Sequence, residues 1–245
     1  MLFTFCQNKS GQKLIHGDLG FGRHDVARVY SALGKVALQA DDLAVFAVPA
    51  YGGRIPAVAA ERMSRMCGNG ARAVLVAVYG NRAIDDTLLE MQDVCTAAGF
   101  NCIAGVSAVA EHSLVREYGA GRPDAQDIEE LTAFATKIIA RLESGETGLN
   151  VPGNRPYRTF GGGPVKPAAN ENCTKCGLCV RSCPTGALCA DDPALPDPAK
   201  CTACMRCVEI CPQKARIADA AVLSAIAEKL RPICTRRGEN ALYID

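Results

Sequence analysis

A twelve-residue run, CTKCGLCVRSCP over 173–184, returns twenty-eight positions later as CTACMRCVEICP over 201–212. No other feature of the 245-residue chain restricts its fold so tightly. Extending the comparison to 173–187 against 201–215 gives eight identities in fifteen positions, and four of the eight are cysteines. Each copy has the spacing C-x2-C-x2-C-x3-C-P. Three thiolates crowded on one loop can cap three irons of a cubane, while the fourth cysteine, carried off on the next helix, reaches the neighbouring cluster. The repeat therefore predicts two [4Fe-4S] clusters about an approximate twofold axis. The first takes Cys173, Cys176, Cys179 and Cys211; the second takes Cys183, Cys201, Cys204 and Cys207. Zinc, the rival metal, is held by C-x2-C pairs and has no use for a third evenly spaced cysteine or a trailing Cys-Pro.

The chain has fourteen cysteines, and the six outside the repeat are scattered: Cys6, Cys67, Cys95, Cys102, Cys189 and Cys234. They read as packed free thiols of a reducing compartment, not as a disulfide framework. A net charge of +1 gives no electrostatic case for binding nucleic acid. No apolar run approaches the roughly 18 residues of a membrane span, and the apolar patch of MLFTF is too short for a secretory leader. These features predict a cytoplasmic protein whose partners are other redox proteins.

Upstream of residue 143 the signals alternate between strand and helix. MLFTF, HDVARV, DLAVFAVPAY, ARAVLVAVYG and FNCIAGVSAV read as strands, the last three as continuous apolar runs that suit burial on both faces of a parallel sheet. IPAVAAERMSRM, DDTLLEMQDVCTAAG and PDAQDIEELTAFATKIIARL read as the helices between and after them. Alternation of this kind predicts an α/β doubly wound parallel sheet. The expected division is an α/β domain over 1–143, a Gly- and Pro-rich linker over 144–169, a small α+β two-cluster domain over 170–219, and a helix and tail over 220–245.

In open α/β sheets ligands sit outside the carboxyl ends of the strands. Three loops lie there: CQNKSGQK over 6–13, PAYGGR over 49–54 and VYGNRAIDD over 78–86. An aromatic residue followed by glycine at two adjacent strand ends offers flat surfaces and exposed backbone amides, which suit a planar ring. Together with VPAYGGRIP, AEHS, GAGRPD, VPGNRPY and both cysteine motifs, these loops make the chain similar to flavodoxin-like domains fused to a bacterial two-cluster ferredoxin. The resemblance implies a flavodoxin-like fold and FMN, its ring flanked by Tyr51, Gly52, Gly53, Arg54, Tyr79, Gly80, Asn81 and Arg82. It also implies a phosphate loop after the first strand, where the family has T-x-T-G-x-T or S-x-T-G-x-T. This chain has FCQNKSGQK there, so Asn8, Ser10 and Gly11 are the residues left to supply donors.

Two functions follow, of different classes. In the first, the chain is an electron relay between FMN and the clusters. In the second, the α/β domain is a flavin-free docking module and the clusters alone carry charge. A substrate-specific reductase ranks behind both, because only the tyrosines and His112 offer a proton donor. No G-x-G-x-x-G after a strand and no G-x-x-x-x-G-K-[ST] supports nicotinamide binding or nucleotide hydrolysis.

Overall fold

The computed structural model describes the backbone of residues 3–7 and the whole of residues 37–245. The expected strand HDVARV and the expected phosphate-loop residues Asn8, Ser10 and Gly11 lie outside the described residues. The first part of the chain runs β1 (Phe3–Gln7), β2 (Leu43–Pro49), α1 (Ala57–Ser64), β3 (Arg72–Tyr79), α2 (Thr87–Ala97), β4 (Asn101–Val109) and α3 (Ala125–Ser144). Then come β5 (Ala168–Ala169), α4 (Leu178–Arg181), α5 (Arg206–Glu209), β6 (Arg216–Ile217), α6 (Ala220–Cys234) and β7 (Ala241–Tyr243).

A mainly parallel sheet in the order β1-β2-β3-β4-β7 organises the α/β part. The apolar runs that predict buried strands do form them: β2, β3 and β4 are parallel neighbours, and eight of the nine residues of β4 are buried. Alternate residues point to opposite faces. On one face Phe46, Leu75 and Ala77 meet α1 and α2 through Met63, Leu88 and Met91. On the other, Val74, Ile103 and Ala104 meet Ile138 and Leu142 of α3. Helices thus cover both faces, as the α/β alternation requires.

The structure corrects the expectation of a parallel sheet at both edges. β1 runs antiparallel to β2, with Phe3 opposite Ala47 and Gln7 opposite Leu43. β7 runs antiparallel to β4, with Tyr243 opposite Gly105. Strand direction is set by where the chain enters the sheet, and a short apolar run carries no sign of it.

Helix α3 starts at a capping box: the Asp124 side chain accepts from the Asp127 N–H, and the Asp127 side chain accepts from the Asp124 N–H. Asp127, fully buried, also pairs with Arg122 and accepts from Asn240 Nδ2 at 2.8 Å. The helix stops at Gly145, whose φ of 73° is the left-handed turn that glycine adopts without strain.

Downstream, residues 150–158 are laid against α2. Asp86 accepts from the N–H groups of Asn154 (2.8 Å) and Arg158 (2.7 Å), and Asp93 binds Arg155 and Tyr157. The cysteine-rich part follows, built on the small β5–β6 ladder. After it, α6 packs Ile226, Leu230 and Cys234 on Val115 and Tyr118, and the tail returns to supply β7. The cysteine-rich part is therefore inserted between α3 and the last strand of the sheet, an arrangement that nothing in the tail sequence RPICTRRGENALYID announces. Among the described residues, no helix is long and apolar enough to cross a membrane.

Candidate iron-sulfur centre and the adjoining cleft

The sequence repeat is also a conformational repeat. Lys175, Gly177 and Gly186 have positive φ (54°, 72° and 62°), and so do Ala203, Met205 and Lys214 (55°, 58° and 48°), each twenty-eight positions on. The one-turn helices α4 and α5 correspond at the same offset. Left-handed residues stand on either side of the second cysteine of each motif, the kind of backbone conformation that forms anion-binding nests. Such nests are the backbone's way of receiving an anionic centre, iron–sulfur clusters among them.

Cys173, Cys176, Cys179 and Cys211 line one small cavity, together with Lys175, Gly177, Ala215 and Arg216. These are the four cysteines that the spacing groups across the two motifs. The remaining four are also neighbours. Burial pushes the Cys204 thiol up, and nearby Cys183 and Cys201 add to the effect. Burial likewise pushes Cys207 up to about 12, reinforced by Cys204, Cys201 and Cys179 and opposed by Arg216. Cys183 Sγ accepts from the Ala187 N–H at 3.2 Å, and Cys211 Sγ accepts from the Ala215 N–H at 3.3 Å, again twenty-eight positions apart. At Cys211 burial acts upward but is outweighed by the N–H groups of Ala215, Arg216 and Gln213, which bring the thiol below its ordinary value. Two groups of four thiols, repeated left-handed positions and N–H···S bonds fit a pair of [4Fe-4S] clusters. Among the described residues, no three His, Cys, Asp or Glu side chains converge as one metal ion requires. Tetrahedral zinc would draw sulfurs to about 3.8 Å of one another.

Beside the second motif, at the carboxyl ends of β2, β3 and β4, lies a cleft of 390 Å³. Tyr51, Gly52, Tyr79, Gly80, His112 and Phe160 form one wall; Ala203, Cys204, Met205 and Arg206 form the other. A larger cavity of 660 Å³ lies between Tyr118 and the tail. There Arg122, Arg231 and Arg237 are already paired, with Asp127, Glu228 and Asp124.

Of the eight ring-flanking residues implied by the resemblance, four line the cleft and four do something else. Asn81, buried, donates to the carbonyls of Cys234 (2.7 Å) and Arg236 (2.6 Å) and accepts from the Gly238 N–H, so it anchors the tail. Arg54 makes a two-pronged bond to Glu90 at 2.7 Å and stacks 4.7 Å from the Tyr157 ring centre. Arg82 pairs with Asp85. Gly53, at φ 82°, leaves room for the Asp85 carboxylate. Even within the cleft the two glycines serve the chain itself: a Cβ on Gly52 would stand 2.2 Å from the Phe160 ring, and one on Gly80 would stand 2.8 Å from His112 Cδ2. The Tyr79 hydroxyl donates to the Glu239 carbonyl at 2.7 Å.

Nothing in the sequence marks Phe160 as a cleft residue, and His112 stands there only as a proton donor. His112 Nδ1 accepts from the N–H groups of Leu114 (3.2 Å) and Val115 (3.0 Å). Burial, with Arg82 nearby, holds its pKa below the ordinary value, so the ring is neutral and its proton sits on Nε2. Phe160 lies in a glycine-flanked loop whose position is fixed only by the fold.

As for the phosphate, β1 ends beside Leu43, about 20 Å of strand away from Pro49 and the cleft. Among the described residues, Tyr51, Tyr79 and Phe160 bring aromatic rings to the cleft.

Replacing Arg54 by alanine is expected to cost about 1–2 kcal/mol, since Glu90 loses a charge-assisted partner in a half-buried setting. Iron content and ring binding should not change. A lowered urea midpoint with unaltered absorbance would show it.

Residues 168–212 match the family model of the 4Fe-4S dicluster domain. The stretch spans both cysteine motifs and reaches back to β5. The chain thus carries a dicluster iron–sulfur domain on a mainly parallel α/β sheet, and that domain supports iron–sulfur electron transfer. Comparison of the chain with curated proteins and with solved structures finds no match.

Proposed function

We propose that the chain passes electrons between a planar redox group in the cleft, with FMN as the first candidate, and two [4Fe-4S] clusters held by the crossed cysteine sets. One observation carries this reading: the cleft at the strand ends opens directly on Ala203–Arg206, the loop of the second cluster. A flavin, when bound, converts two-electron to one-electron chemistry. The chain's own part is to seat and shield. Tyr51 and Tyr79 supply flat walls, His112 offers a fixed neutral N–H donor, and the Cys204 loop excludes water from one side. Redox proteins remain the proposed partners and the cytoplasm the proposed setting.

A second reading makes the α/β domain a docking module without flavin. It is favoured by Phe160 and His112, which already cover the two cleft glycines, and by Arg54 and Arg82, which are already paired.

Anaerobic purification followed by assay of iron, acid-labile sulfide and released flavin separates the two. About eight irons per chain are expected in either case. FMN retained, or taken up on addition, supports the relay, and Tyr51→Ala should then weaken FMN about tenfold through lost stacking. Full clusters with no uptake of FMN would sink the relay and leave the docking module.

A further inference from the structure

The repeat that relates the two cysteine sets is broken at one buried position. Arg216 lies one residue beyond Ala215, and its partner under the twenty-eight-residue offset is Leu188. Both are buried, at 2% and 6% exposure. A guanidinium therefore stands on one side of the pseudo-twofold axis where a hydrocarbon stands on the other.

Among the described residues, no carboxylate pairs with that guanidinium. Nη1 donates to the carbonyls of Pro167 (2.9 Å) and Ala194 (3.0 Å), and Nη2 donates to the Pro193 carbonyl. Nη2 also reaches Cys179 Sγ at 4.0 Å, and Nε is buried without a partner. Arg216 borders the cavity of Cys173, Cys176, Cys179 and Cys211. Burying an unpaired charge is costly unless another charge answers it. A four-thiolate iron–sulfur cluster, anionic overall, is such a charge.

We propose that Arg216 raises the reduction potential of the cluster bound by Cys173, Cys176, Cys179 and Cys211 above that of its neighbour, so that an electron entering at the cleft comes to rest there. The step is a transfer of one electron from the reduced second cluster to the oxidised first; no bond forms and no proton moves. A fixed positive charge favours the more negative, reduced state of whichever cluster lies nearer, and a low-dielectric setting magnifies the effect. Solvent exposure acts in the same sense. Cys176 is exposed, whereas its counterpart Cys204 is packed into the cleft. The first cluster is thus also the one that an outside partner can approach.

This inference rests on the crossed ligand sets proposed above. It is tested by redox titration followed by EPR on the full chain carrying both clusters. Two reduction steps are expected in the wild type. In Arg216→Leu the electron's preference for the first cluster should fall at least tenfold, which is about 59 mV for a one-electron couple. Arg216→Lys keeps the charge and should keep most of the gap; a lysine variant as altered as the leucine one would reduce Arg216 to a structural clamp. Because the leucine variant removes three hydrogen bonds to carbonyls, a measurement on the wild type stands beside it. In the half-reduced protein, the paramagnetically shifted β-protons of Cys173, Cys176, Cys179 and Cys211 should carry the reduced pattern. An evenly shared electron, or one held by the other four cysteines, overturns the proposal with both clusters intact. Fewer than two clusters, or β-protons grouped by motif and not across motifs, would overturn the ligand sets and the inference with them.

Discussion

Cys211→Ser is expected to abolish the cluster of the first motif, although Cys211 belongs to the second. Iron should fall from about eight to about four per chain. The reason is the shared cavity: Cys211 closes the ring begun by Cys173, Cys176 and Cys179, and its sulfur is already aligned by the Ala215 N–H. Cys183→Ser should produce the complementary loss. Combinations make the test sharp, because residues acting on one site are not additive. Cys211→Ser joined to Cys176→Ser should cost no more iron than either alone, while Cys211→Ser joined to Cys204→Ser should empty both sites. Iron analysis with EPR of the reduced protein decides it. Were Cys211→Ser and Cys204→Ser the non-additive pair, each motif would be self-contained and the crossed arrangement wrong.

The largest loss of stability is expected from Asp127→Asn. This carboxylate is fully buried and receives Arg122, the Asp124 N–H and Asn240. The amide would leave Arg122, itself 5% exposed, with only the more exposed Asp124 carboxylate, 3.8 Å away, to answer its charge. Breaking a buried pair from one side costs about 3–5 kcal/mol, which in a chain of this size lowers the apparent unfolding midpoint by roughly 10 °C. The pH dependence has a definite sign. The Arg122 side chain, against the cost of burial, holds Asp127 below the usual carboxylate range. A group with a depressed folded pKa stabilises at pH above its unfolded value, near 3.9, and loses that stabilisation as pH falls through the folded value. The wild type should therefore shed stability on acidification below about pH 5, and the asparagine variant should shed less. Thermal melts at several pH values would show the two curves converging in acid; parallel curves would remove Asp127 from the account.

What could be read directly from the chain was local. The thiolate spacing and the three apolar strands each depend on residues a few places apart. What was not legible depends on distant partners. Asn81 looks like a ring ligand in VYGNR until the tail arrives from 234–238 and occupies its amide. Arg54 looks free until Glu90, thirty-six residues on, claims it. The antiparallel edges belong to the same class, since pairing of β4 with β7 joins residues more than 130 positions apart.

The return of the chain to the sheet has a mechanical consequence. A domain hung from a single flexible linker sweeps out a wide cone, and any distance between it and its host fluctuates accordingly. Here residues 150–158 are fastened to α2 on the way out, and Asn81 and β7 fasten the tail on the way back. Two straps remove rotation about either one and leave at most rocking about the line joining them. Electron tunnelling falls off steeply with gap width, so in the proposed relay, holding the Cys204 loop against the strand ends would keep the rate steady. Cutting the chain after Arg237 would remove β7 and the Gly238 contact while keeping Asn81 on Cys234 and Arg236. This loosens one strap, and the expected sign is a broadened spread of transfer rates in the proposed relay with no cluster lost.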